Sequence, residues 1–272
     1  MFGTKENLPI YGDSVEWNLE FLQAQGLNQD QAAQTLIFKE LVWPFYEPET
    51  DYHNSHEHIE EGFLAAMSLC RKANDEGHEV DMLKVAIAYL GHDAGYNHDL
   101  FESYNPDKWG LKENYHSYIT VQLLLTMGFD KTFIGDIQSC ILATAVHFEC
   151  QSIEQEITRL ADTSNVPSPY ENFVLKSCEF FKESLDKGAR MDLNMFRSIA
   201  SQVLSKYFSG IKILKDLDKD ETGKSLIERG YANIEKFSRE TPESIIKMLG
   251  AHAARFTNVL LSKSKSEPVD DN

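Results

Sequence analysis

VDMLKVAIAYLGHDAGY, residues 80–96, decides how the chain is read. Between Val80 and Leu90 only Asp81 and Lys84 carry charge. An apolar run of that length, without strand-like alternation, predicts a central helix covered on all sides. It closes on His92-Asp93, just before Ala94-Gly95. A charged pair at the edge of a buried helix is costly unless it is paired or ligated. Imidazole nitrogen and carboxylate oxygen together suit Mn, Fe, Co, Ni, Zn and, less well, Mg.

Helical periodicity continues outward on both sides. Upstream it predicts helices at 14–25, 29–42 and 56–72, with Pro44 and Pro48 interrupting them. Downstream, a loop rich in Gly, Asn, Asp and Pro spans 94–111. Helices follow at 113–127, 131–147 and 150–162, then a break at SNVPSPY (164–170). Further helices are expected at 171–187, 192–208, 209–216, 221–238 and 241–262. No strand alternation, hairpin signal, internal repeat or long linker is present. The expectation is an all-α, single-domain helical bundle. Residues 1–50 supply N-terminal helices that pack on the core, 51–185 a metal-binding core, and 186–265 C-terminal helices completing the same domain, with a frayed tail at 266–272. Phe196, Ile199, Val203, Leu204, Tyr207 and Phe208 form a core-like stripe with no recognisable chemistry of its own. The first 45 residues are expected to cover one side of the site or a homodimer face.

Lys plus Arg number 26 against 43 Asp plus Glu, a net charge of −17. Such a surface repels polyphosphate backbones and anionic membranes, so neither a nucleic-acid polymer nor a membrane is an expected partner. A small phosphorylated substrate stays open, because a bound metal reverses the local field. No run of about 18 apolar residues occurs, and the start, MFGTKENLPIYGDSVEW, lacks an apolar signal core. The four cysteines form no CxxC pair. The chain is therefore expected to be cytoplasmic, with buried thiols.

Three further residues end or begin apolar helices: His58 ahead of Ile59, Phe63, Ala66 and Met67, His147 after ILATAV, and Asp162 after IEQEITRLA. Ligands spread over several helices are what a helical metal cage requires, since each helix offers only one or two inward groups.

In this order, His58, His92-Asp93 and Asp162 resemble the H…HD…D signature of the HD superfamily of metal-dependent phosphohydrolases. HIEEGFLAAMSL, VAIAYLGHDAGY and ITRLAD look like the corresponding family segments, and the resemblance covers roughly residues 50–180. It implies an HD-type helical fold and one or two divalent ions (Mn, Fe, Mg, Zn, Co or Ni). The ligands carried over are His58, His92, Asp93 and Asp162, with His56 as the alternative first ligand. His116 and His147 match the extra histidines of two-metal members, and His98 and Glu113 are further candidates between the HD pair and the last Asp. Tyr52-His53-Asn54 resembles the YHN of many HD proteins and of helical cyclic-nucleotide phosphodiesterases. There the His protonates the leaving oxygen, so His53 becomes a candidate general acid. The interval from His53 to His58 is five positions where those proteins usually have four.

The implied reaction is hydrolysis of a phosphate mono- or diester, nucleotide-like, with Asp93 both ligating and bridging the metal ions and His53 or His116 protonating the departing alkoxide. No GxxxxGK or GxGxxG loop is present. Phosphate binding therefore falls to metal and side chains, with Lys108, Lys112 and Lys131 nearest in sequence. Two alternatives share the fold. One is an HD-type diiron oxygenase, whose HDxxK pattern this chain lacks because position 96 is Tyr; the other is a non-catalytic binding protein.

Overall fold

A computed structural model describes residues 16–46, 50–53, 55–97, 99–100 and 102–261, the side chains of 55–57 excepted. Among them there are no strands, and thirteen α-helices follow one another: α1 (Leu19–Ala24), α2 (Gln29–Val42), α3 (Glu61–Asp75), α4 (Met82–Gly91), α5 (Pro106–Trp109), α6 (Lys112–Met127), α7 (Lys131–Leu142), α8 (Ile153–Asp162), α9 (Tyr170–Asp186), α10 (Leu193–Ser209), α11 (Leu226–Arg239), α12 (Pro242–Leu249) and α13 (Thr257–Leu261). The all-α expectation holds. None of the described helices is long and apolar enough to cross a membrane.

Helix α4 is the axis. Every residue in it except Lys84 is buried, and α2, α3, α6, α7 and α8 pack around it. Lys84 escapes by reaching Asp136 on α7, Nζ to Oδ2 2.8 Å. A wholly apolar helix is stable only inside such a jacket, where each fully buried Leu or Ile contributes about 1.5–3 kcal/mol. Helix α3 approaches α4 closely because position 62 is glycine: a Cβ there would lie 1.6 Å from the Tyr89 hydroxyl oxygen. That hydroxyl donates to the His58 carbonyl at 3.0 Å. The N-terminal segment packs on the same core, with the Trp17 ring against Phe63 and its indole N–H donating to Glu60 at 2.9 Å.

Several boundaries differ from the periodicity. The first helix begins at Leu19, where Asn18 caps it by accepting from the Phe21 N–H. The chain expected to be helical up to 147 leaves the helix after Leu142 and turns. The helix expected at 209–216 does not form: Ser209 ends α10, and 210–216 are turn and loop. The backbone N–H groups of Lys212, Ile213 and Leu214 are drawn onto the buried carboxylate of Glu156, at 2.7–3.0 Å. A carboxylate that collects three amides competes successfully with helical pairing of those amides. The four cysteines are free and buried, as expected. Burial pushes the Cys140 and Cys178 thiols up to about 12 and Cys150 up to about 11, which removes them as thiolate nucleophiles.

Candidate metal centre and adjoining pocket

The HD pair sits where α4 runs out of its own hydrogen bonds. The last carbonyls of a helix need outside partners, and those of Leu90, Gly91 and the following His92 have them. Tyr46 donates to Leu90 O (2.8 Å), Thr120 to Gly91 O (3.1 Å) and the His116 Nδ1–H to His92 O (2.6 Å). The Nδ1 of His92 lies 2.6 Å from Tyr89 O, so it donates there and Nε2 is turned inward. Anchoring one imidazole nitrogen on a carbonyl to aim the other is the usual device of metal-binding histidines. Beyond the pair, Gly95 takes a φ of +122°, and its N–H and that of Asn97 both donate to Phe45 O. A side chain at 95 would meet both that backbone angle and the ring of Tyr115, 2.5 Å from a Cβ.

His58 enters from a π-helical turn, Ser55–Glu60, that leads into α3. Such turns often mark functional positions. Asp162 arrives from the last position of α8. Together His58, His92, Asp93 and Asp162 each offer one ligand atom, all within 4.8 Å of one another. His92 Nε2 is 3.2 Å from both Asp93 Oδ2 and Asp162 Oδ1, and His58 Nε2 is 3.3 Å and 3.6 Å from the same two oxygens. Although burial disfavours its charged form, His92 is raised to about 10 by Asp93 and Asp162. The same field attracts any cation. The donor set fits a divalent ion: two imidazole nitrogens and two carboxylates, with His58 Nε2 buried and lacking a hydrogen-bond partner.

His53 is buried beside this cluster. Its Nδ1 meets Glu183 Oε1 at 2.6 Å, while Glu183 Oε2 accepts the backbone N–H groups of Tyr52 (2.8 Å) and His53 (3.0 Å). Lys187 Nζ shares Glu183 Oε1 with that ring, at 2.5 Å, and Tyr96 stacks on the imidazole at 5.1 Å. Burial lowers the His53 pKa from its ordinary 6.5, with Glu183 pulling the other way. Glu183 carried no motif signal. The clue available was its placement on an amphipathic helix with a lysine four residues later.

His116 is buried next to Asp93, Nδ1 to Oδ1 3.4 Å, with its Nδ1 committed to the His92 carbonyl. Burial drives it down to about 3, so it is a neutral ring. His147 lies apart from the group: it is exposed, with Nδ1 2.7 Å from Lys206 Nζ. The turn that ends α7 early carries it outward. Glu113 is buried on α6 but is not among the four gathered ligands. His98 and the side chain of His56 lie outside the described residues. Of the three lysines, Lys112 reaches the site, its Nζ 3.6 Å from Asp93 Oδ1. Lys108 pairs instead with Glu102, and Lys131 is exposed.

A cavity of about 330 Å³ opens beside the cluster, its wall including His53, Lys112 and Asp162. Small-molecule pockets begin at about that size. Phe173, Phe180, Phe196, Ile199, Val203, Leu204 and Tyr207 supply its apolar side. The stripe on α10 expected to be core is therefore mainly pocket wall: Phe196 and Phe208 are buried, but Ile199 is 42% exposed.

No family model matches the chain, and no curated protein matches it either. Among solved structures, the phosphodiesterase domain of the RhoPDE fusion protein from the choanoflagellate Salpingoeca rosetta aligns over 89% of this chain and 87% of that one, with a TM-score of 0.50 and 15% identity. The likeness is one of fold. The chain is thus an all-helical protein, similar in fold to a phosphodiesterase domain, with a His/Asp cluster able to hold a metal ion.

Proposed function

We propose that the chain is an HD-type, metal-dependent phosphohydrolase that cleaves a phosphate mono- or diester of nucleotide-like size. The observation that carries this reading is the convergence of His58, His92, Asp93 and Asp162 within 4.8 Å, beside a small-molecule cavity that Asp162 lines. The likeness in fold to a phosphodiesterase domain points the same way. A divalent cation in that cage supplies Lewis acidity toward a phosphoryl oxygen and lowers the pKa of water. The chain's own residues do the rest. Asp93 and Asp162 concentrate negative charge for the ion, and the Tyr89 carbonyl and Tyr89 hydroxyl position His92 and His58. With Nδ1 committed to Glu183, His53 has Nε2 for a proton to pass to the leaving oxygen. The neutral His116 ring orients the HD turn.

The test is hydrolysis of a panel of phosphoesters and nucleotides with Mn²⁺ added, on wild type and Asp93→Ala. The expected result is release of phosphate or nucleoside that the variant loses by at least ~10²-fold. Folded, metal-loaded wild type that hydrolyses none of the panel would overturn the reading.

A further inference from the structure

The two oxygens of Asp93 face different neighbours. Oδ2 looks into the cluster, 3.3 Å from His58 Nε2 and 3.2 Å from His92 Nε2. Oδ1 looks away from it, 3.6 Å from Lys112 Nζ and 3.4 Å from His116 Nδ1. A carboxylate that bridges two ions needs a second cation on its outer oxygen. Here an ammonium already stands there.

We infer that the site holds a single divalent ion and that Lys112 supplies the second positive charge, binding the phosphoryl group from the side of Asp93 Oδ1. Three observations carry this. First, among the described residues no second set of three ligands gathers on the side of Oδ1: His116 has only Nε2 to offer, since its Nδ1 donates to the His92 carbonyl, and His147 is at the surface beside Lys206. Among the described residues, the four-residue cluster is the one group that brings three or more ligating side chains together. Secondly, an ion on Oδ1 would sit within a few ångströms of the Lys112 ammonium, and like charges at that range repel strongly in a partly desolvated site. Thirdly, Lys112 lines the cavity together with His53 and Asp162, so its charge is available to a bound anion. Lys112 opens α6, where the helix itself disfavours a cation; Asp93 offsets that. The single-ion half of the inference stands on geometry alone, whereas the phosphoryl half rests on the phosphohydrolase reading.

The experiment loads the full chain with excess Mn²⁺, removes unbound ion, and measures manganese per chain by elemental analysis together with the electron paramagnetic resonance spectrum. Affinity for inorganic phosphate is then measured calorimetrically on wild type, Lys112→Met and Lys112→Arg. One ion per chain with an uncoupled spectrum is expected for wild type. Phosphate should bind at least ~10-fold more weakly to Lys112→Met, with recovery in Lys112→Arg. Two ions per chain with a spin-coupled spectrum would overturn the single-ion inference. Unchanged phosphate affinity in folded, metal-loaded Lys112→Met would overturn the role of the lysine. Failure to hydrolyse any phosphoester leaves the ion count standing and sinks only the parent reading.

Discussion

His53 and Glu183, 130 positions apart in the chain, meet at 2.6 Å between Nδ1 and Oε1. The other oxygen of Glu183 takes two backbone N–H groups from the same turn, so one carboxylate fixes both the ring and the loop that carries it. A Gln at 183 has a single oxygen and cannot serve both. Glu183→Gln is expected to lower kcat roughly 10–100-fold with little change in KM, the range seen when orienting partners are lost. Chemistry that needs protonated His53 declines as pH rises through the pKa of that ring. Removing the Glu183 charge lowers that pKa, so the alkaline limb of the pH–rate profile moves to lower pH. An unmoved limb in a folded variant removes Glu183 from the mechanism.

Asp162 is the most accessible of the four gathered side chains, at 19% exposure, and its loss leaves the least buried charge behind. Wild type should gain about 2.7 kcal/mol of stability at a Mn²⁺ concentration a hundredfold above Kd. Asp162→Ala should lose most of that gain while still melting cooperatively. Thermal denaturation with and without Mn²⁺ reads this directly, and an equal gain in the variant moves the ion elsewhere.

Gly62 lets α3 lie against Tyr89. Gly62→Ala forces the ring away and breaks its hydroxyl bond to the His58 carbonyl. A cost of about 1–3 kcal/mol is expected, as for other overpacked cores, together with weaker Mn²⁺ binding because His58 shifts. Chemical denaturation and metal titration check the two parts; a variant as stable as wild type shows that the helices can separate freely.

Arg159 is 1% exposed and donates to the carbonyls of Ala143, Ala145 and Phe148, at 2.6, 2.9 and 2.6 Å. It ties the turn after α7 to α8, one turn before Asp162. Arg159→Met leaves those carbonyls without their donor and should cost about 1–3 kcal/mol for each that stays buried and unpaired. A urea melt with an unchanged slope would give the figure; a loss under about 1 kcal/mol means that water replaces the guanidinium.

Asp218 joins Lys72 at 2.5 Å and Arg229 at 2.7 Å. Partial burial works against its charge, but the two cations hold its carboxyl below the ordinary 3.8. A depressed carboxylate contributes stability that is full above the unfolded value and disappears as pH falls through the folded one. Asp218→Asn should therefore be less stable than wild type at pH 7, with the gap narrowing below 3.8. A gap that stays constant from pH 7 into that acid range would assign the loss to something other than ionisation.

Much was readable along the chain because it depends on local order. The apolar run of α4 demanded a covered helix, and the ends of that run and of the helices bearing His58 and Asp162 marked residues that had to be paired or ligated. What the chain alone left open was decided by partners distant in sequence. Glu156 pulls residues 212–214 out of a helix that their periodicity favours. The turn after Leu142 carries His147 to the surface, although its pattern matched that of a ligand. Glu183 reaches back 130 positions to His53. The stripe from Phe196 to Tyr207 became a cavity wall, since hydrophobic spacing shows which face avoids water but not whether protein or ligand will cover it. Local propensity and periodicity act within a few turns; hydrogen bonds and charges across the bundle exist only once the chain has closed on itself.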